Sequence, residues 1–260
     1  MVLSTLQTVL AIASGSVVGF SLGLVGGGGS ILAVPLLVYL VGLDNPHVAI
    51  GTSAIAVALN AAVNLATHAW AGNVKWRCAS VFATAGVAGA FLGSTLGKMV
   101  DGHRLLALFA VLMMVVSVLM LRDRARTGDP AVTLSRENFP KLVGLGLLAG
   151  LLSGFFGIGG GFLIVPALML AAGMPILNAI GSSLVSVTAF GLTTAGNYAW
   201  SGLVDWPVAG LFVAGGVLGG LLGARAGKSL SGRQGALNTT FAVLIFAVAL
   251  YMLMHTFNLI

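Results

Sequence analysis

From Leu142 to Val204 the chain runs for 63 residues without one Asp, Glu, Lys or Arg. A single helix of that length would reach about 95 Å, so the run has to fold back into two or three pieces. Further uncharged runs extend from Asn45 to Val74, Cys78 to Gly97, Leu105 to Leu121, Trp206 to Ala224 and Gln234 to Ile260. Several of them match the stretch of about 20 apolar residues that carries a helix across about 30 Å of hydrocarbon. Only 7% of the residues are charged, against about 25% in an ordinary soluble domain, and 58% are hydrophobic. So few charges cannot cover a globule in water. A soluble enzyme, a nucleic-acid binder and a disordered chain are excluded, and lipid is the solvent for most of the surface. One cysteine, Cys78, leaves no intramolecular disulfide and no cysteine cluster for a metal.

The chain repeats itself. Gly19 to Gly42 reads GFSLGLVGGGGSILAVPLLVYLVG, and Gly150 to Gly173 reads GLLSGFFGIGGGFLIVPALMLAAG; ten of 24 positions match at an offset of 131. Pro35 aligns with Pro166. With one residue removed, the offset becomes 130: AIGTS (Ala49 to Ser53) meets AIGSS (Ala179 to Ser183), and WAGNVKW (Trp70 to Trp76) meets WSGLVDW (Trp200 to Trp206). Gly86, Gly89, Gly93, Gly97 and Lys98 then meet Gly216, Gly219, Gly223, Gly227 and Lys228. The polar stretch between Leu121 and Lys141 reads as a linker. The expected organisation is a first transmembrane repeat over 1–121, a linker over 122–140 and a second repeat over 141–260.

Each half divides into five apolar segments: 3–24, 29–42, 47–71, 77–98 and 103–121, then 140–156, 160–173, 176–200, 206–227 and 233–257. The segment after each glycine cluster is short for a crossing and is either tilted or re-entrant, with protein covering its non-helical turn. If every segment returns the chain to the opposite side, one side collects Lys75, Arg77, Arg122, Arg124, Arg126, Arg136, Lys141, Arg225, Lys228 and Arg233, and the other only Lys98 and Arg104. This ten-to-two split obeys the positive-inside rule; treating the glycine-rich pair as one broken crossing reduces it to seven against five. The fold class expected is all-α: a polytopic membrane protein of two inverted homologous repeats with about 8–10 membrane segments. The linker is then cytoplasmic and both termini lie outside. The N-terminal segment has no basic flank of the signal-peptide kind and reads as a retained membrane element.

The glycine clusters have neither the strand nor the downstream acid of a dinucleotide fingerprint, and no GK[ST] follows them. Two uses remain open for them: close helix packing, or lining a solute path in which the first amides of the next segment, near Ser30 and Gly161, face an anion. The later glycine ladders read as packing. Polar residues gather in the third segment of each half, where Thr52 and Ser53 align with Ser182 and Ser183. Buried in lipid, such groups must face protein or a cavity. No Asp or Glu lies deep in a segment, so neither a carboxylate ion site, a metal site nor a catalytic acid pair is expected. The candidate solute-lining residues are Gly26, Gly28, Gly29, Ser30, Thr52, Ser53 and Asn64 in the first half. In the second they are Gly157, Gly159, Gly160, Gly161, Ser182, Ser183 and Asn197. Trp70, Trp76, Trp200 and Trp206 suit interfacial anchoring.

With these motifs in place, the chain resembles the sulfite exporter TauE/SafE family of bacterial membrane permeases. The likeness rests on Gly23 to Gly29 with Pro35, on Ala49 to Ser53, on the Gly72 and Trp76 loop, and on the second copies from Gly154 to Gly161 with Pro166 and from Ala179 to Ser183. It covers nearly everything but the linker. It implies a multi-pass transporter of a bacterial inner membrane, with both termini then in the periplasm, that exports a small anion such as sulfite, or a related sulfur-containing oxyanion or organosulfonate. With no nucleophile, acid pair or metal set at depth, neither an enzyme nor a cofactor is expected. A channel-like anion pore, or a permease for another small solute, is the alternative.

Overall fold

The computed structural model describes residues 4–122, 129, 132–157, 161–229 and 234–256. Its regular elements are all helical. The first half holds α1 (Thr5–Val25), a 3-10 helix (Gly26–Leu32), a short α2 (Ala33–Pro35), a π-helical turn (Leu36–Leu40), α3 (Pro46–Trp70), α4 (Trp76–Met99) and α5 (Gly102–Arg122). The second holds α6 (Phe139–Phe156), α7 (Gly161–Ala172), α8 (Ile176–Trp200), α9 (Trp206–Ser229) and α10 (Gln234–Thr256). Six of them are long and apolar enough to cross a membrane: α1, α3, α4, α6, α8 and α9. These are the first, third and fourth helices of each half, so the repeat seen in the sequence recurs as a repeat of helix lengths.

The helix ends follow from local chemistry. Asn45 caps α3 by accepting a hydrogen bond from the His47 amide (2.9 Å), with Pro46 at the first helical position. Gly72 and Gly202 turn the two equivalent loops, α3 to α4 and α8 to α9, in the left-handed conformation (φ +71° and +69°), where a side chain is strained. That requirement explains the glycine shared by the two Trp-to-Trp motifs. The loops hold the tryptophans out: Trp70 is 89% exposed and Trp200 94%, the placement of interfacial anchors.

The halves differ at their prolines. Pro166 sits inside a continuous α7. Pro35 is followed by a π turn in which the Val41 amide donates to the Leu36 carbonyl (3.0 Å). A proline removes one amide from the ladder, and in the first half the chain widens just after it, the kind of break common in such segments. The expected short segment is therefore present in both halves, as a regular helix in only one.

Packing exchanges the halves. α1 lies along α9 and α6 along α4; α3 crosses α8, and α5 packs on α10. Gly15, Gly19 and Gly23 press on the backbone of Phe212, Gly216 and Gly220, while Gly146, Gly150 and Gly154 press on Phe82, Gly86 and Ala90. In each seam the numbers rise together, so both pairs run parallel. A methyl group at any of these glycines would strike the facing backbone, which makes these small-residue seams. The central pair runs the other way: the His47 ring lies near Tyr198 (ring centroids 6.3 Å), whereas Ala54 and Ala58 meet Gly191. α3 and α8, equivalent in the repeat, are thus antiparallel.

Candidate functional site

The first glycine cluster lies beside the helix that follows the second. The 3-10 helix Gly26–Leu32 packs against α7 and also touches α8. Gly29 lies against the α1 backbone at Ser21 and Leu22, and Ser30 is fully buried. Ser30 falls inside the 3-10 helix, since α1 passes into it at Gly26 without a gap. In the second half a true helix start does occur, at the buried Gly161. Gly26 and Gly28 belong to the 3-10 helix; Gly159 and Gly160 lie outside the described residues. Gly157 ends α6 in the left-handed conformation (φ 67°) and packs against Ile50 of α3.

The hydroxyls predicted from the aligned motifs are all buried, and they divide by chemistry. Ser53 Oγ donates to the Ile50 carbonyl (2.8 Å) and approaches the Gly157 carbonyl (3.3 Å). Ser183 Oγ donates to the Ile180 carbonyl (2.7 Å). Their protons are spent on the backbone. Thr52 Oγ1 instead accepts from the Asp205 amide (2.9 Å), and Ser182 Oγ accepts from the Lys75 amide (2.9 Å). Asp205 and Lys75 occupy equivalent places in the repeat, so this is one contact made twice, each time from a helix of one half to a loop of the other. A hydroxyl has one donor and two acceptor positions; Thr52 and Ser182 therefore each keep an O–H to donate.

The two asparagines separate. Asn64 Nδ2 donates to the Asn60 carbonyl (2.9 Å), and its side chain lies against Gly220. Asn197 sits about 21 Å along α8 from Ser183 by helical rise. Its Oδ1 and its carbonyl both accept from Lys98 Nζ (2.8 and 3.0 Å), and its Nδ2 donates to Ser94 Oγ (2.7 Å) and Thr95 Oγ1 (2.9 Å). Lys98 also donates to Ser201 Oγ (2.8 Å). The Asn197 carboxamide is engaged entirely by protein groups and ties the end of α4 to the end of α8.

Sequence reasoning passed over Lys98, whose partners come from another helix, and several buried polar atoms with no hydrogen-bond partner among the described residues: both amide atoms of Asn60, Ser186 Oγ, Thr194 Oγ1 and Tyr198 Oη. Each such group costs about 1–3 kcal/mol, so they mark where the polar interior is incomplete. No group of three or more His, Cys, Asp or Glu gathers among the described residues. An apolar cleft of about 260 Å3 opens between the Pro35–Leu40 stretch and α10, with Tyr39 and Tyr251 on its walls; it includes none of the hydroxyls above.

Residues 11–252 match the family described as sulfite exporter TauE/SafE. The chain belongs to the TauE/SafE family. Among its relatives is a probable membrane transporter protein of Xylella fastidiosa (strain Temecula1), 53% identical over 252 residues, 96% of each chain. The probable membrane transporter protein YunE of Bacillus subtilis is 28% identical over 85% of this chain and 89% of its own. No solved structure matches. The protein is thus a multi-pass membrane transporter of the TauE/SafE family and not an enzyme, and α3 and α8 carry most of the polar side chains buried among the described residues.

Proposed function

We propose that this transporter exports a small sulfur-containing oxyanion, such as sulfite, or a related organosulfonate. In this reading two inverted repeats, 1–121 and 141–260, are joined by a cytoplasmic linker over 122–140, in the inner membrane of a bacterium with both termini periplasmic. The observation that carries the reading is that each glycine junction packs on the other half: the Gly26–Leu32 3-10 helix lies on α7, and Gly157 abuts α3. Main-chain amides at the start of α7 favour an anion there. The free protons of Thr52 and Ser182, at separate points on antiparallel α3 and α8, supply one further donor to each half of the path. Ser53 and Ser183 shape the junction, and Gly26, Gly28, Gly29, Ser30 and Gly161 let the backbone close around the solute. A site of neutral donors binds weakly enough to release. The antiparallel course of α3 and α8 supports inversion, the plan by which rocking of one repeat against the other switches access. An interior-negative potential drives an anion outward by about 2.3 kcal/mol per charge per 100 mV, so export needs no further coupling.

The test is uptake into proteoliposomes, with sulfite, thiosulfate, sulfoacetate and sulfate assayed separately against protein-free liposomes. The reading predicts saturable flux of at least one of them, reduced at least tenfold in a folded Thr52→Val/Ser182→Ala variant. Absence of flux for all four, with folded protein, would remove the anion assignment.

A further inference from the structure

Asn60 stands in the middle of α3 with no exposed surface, and neither atom of its carboxamide has a hydrogen-bond partner among the described residues. Its side chain fills the notch left by Gly216 on α9, where a methyl group would collide with the amide. One turn on, Asn64 fills the next notch, at Gly220. The second half builds the same notch differently. Gly86, the counterpart of Gly216, faces Phe190, the counterpart of Asn60. One seam thus receives a carboxamide and its twin a benzyl ring. The Phe190 ring leaves nothing unsatisfied, and it stacks on Phe82 (ring centroids 6.4 Å). Packing alone would be met by an apolar residue in both halves. An unpaired amide kept where its twin keeps a phenyl ring calls for an explanation other than packing.

We propose that Asn60 is a solute-binding residue of the transport path, its carboxamide presenting N–H donors and a carbonyl acceptor to a small polar solute between α3 and α9. The assignment rests on the transport reading above and adds a second station to it. Ser53, Asn60 and Asn64 fall on one face of α3 by helical spacing. Asn60 lies about 10 Å along the helix from Ser53, toward the Lys75 loop. The corresponding step along α8, from Ser183 toward Trp200, ends on Phe190. At this one position the path holds a carboxamide in the first half and a ring in the second. In the proposed orientation Asn60 lies on the cytoplasmic side, which makes it a loading contact for export. The donors suit an oxyanion, and the adjoining carbonyl suits one that still carries a proton.

Asn60→Leu keeps the shape and deletes both unsatisfied groups. A purely structural Asn60 predicts an equal or higher melting temperature with unchanged flux. A solute contact predicts an equal or higher melting temperature with sulfite and thiosulfate flux reduced at least tenfold. Unchanged flux overturns the proposal. A second arm needs no known substrate: Asn60→Cys with Cys78→Ser, treated in membranes with a small impermeant methanethiosulfonate. A path residue reacts at least ten times faster than the native Cys78, which is 1% exposed; an equal or slower rate overturns the proposal, and this arm decides alone if Asn60→Leu does not fold. Fast labelling together with no flux of any tested anion keeps Asn60 in the path and rejects the anion assignment instead.

Discussion

Thr52 and Ser182 show what a single hydroxyl does in this fold. Each takes the amide of a loop residue in the other half, Asp205 or Lys75, and so joins the repeats at two equivalent points. Thr52→Val and Ser182→Ala should each lower stability by about 1 kcal/mol, because a partly buried amide loses its acceptor. The two losses should add, since the sites are separate; thermal unfolding in detergent measures both, and a neutral effect would mean that water replaces the hydroxyl. The hydroxyls themselves were legible in the sequence, as polar residues aligned inside apolar segments. Their partners were not, because these bonds join residues 107 and 153 positions apart. Asn60 was visible only as one polar residue among several, and its meaning depends on the Gly216 notch and on Phe190, neither of which a spacing reveals. Asn197 read like Asn64 in sequence, but Lys98, arriving from α4, occupies it.

At the scale of elements, glycine does two different jobs that composition cannot separate. Gly93 of α4 faces the Leu151 carbonyl across the seam with α6, and Gly219 of α9 faces the Ser16 carbonyl across the seam with α1. Gly210, in the same α9, has nothing within reach of an added methyl. Gly93→Ala and Gly219→Ala should therefore push two helices apart and destabilise by about 1–3 kcal/mol. Gly210→Ala should stabilise by up to about 1 kcal/mol through helix propensity alone. Melting temperatures of the three variants, in the same detergent, check the contrast; a loss for Gly210→Ala equal to the others would deny the seam geometry. The ten segments were readable from the gaps between charges, because lipid leaves no other place for Lys and Arg. The conformation of the short first-half segment was not readable: Pro35 and Pro166 align, yet only Pro35 is followed by a π turn.

For the whole molecule, the exchange of partners between halves ties topology to transport. Ala71 and Ser201 occupy equivalent loop positions, after α3 and after α8, and both are exposed. If the repeats are inverted across a membrane, Ala71→Cys and Ser201→Cys, each with Cys78→Ser, should be labelled by an impermeant thiol reagent from opposite faces, Ala71→Cys from the face rich in Lys and Arg. Labelling of both from one face would contradict inversion. An inverted pair would give a solute two equivalent exits, and opening them in turn is what separates a carrier from a pore. The most direct test of that claim is counterflow: proteoliposomes loaded with unlabelled sulfite and diluted into a trace of labelled sulfite. A carrier with alternating access predicts transient accumulation of label above its equilibrium level, abolished when the internal sulfite is omitted. Flux that rises linearly with concentration and shows no counterflow would contradict the account and describe an anion pore.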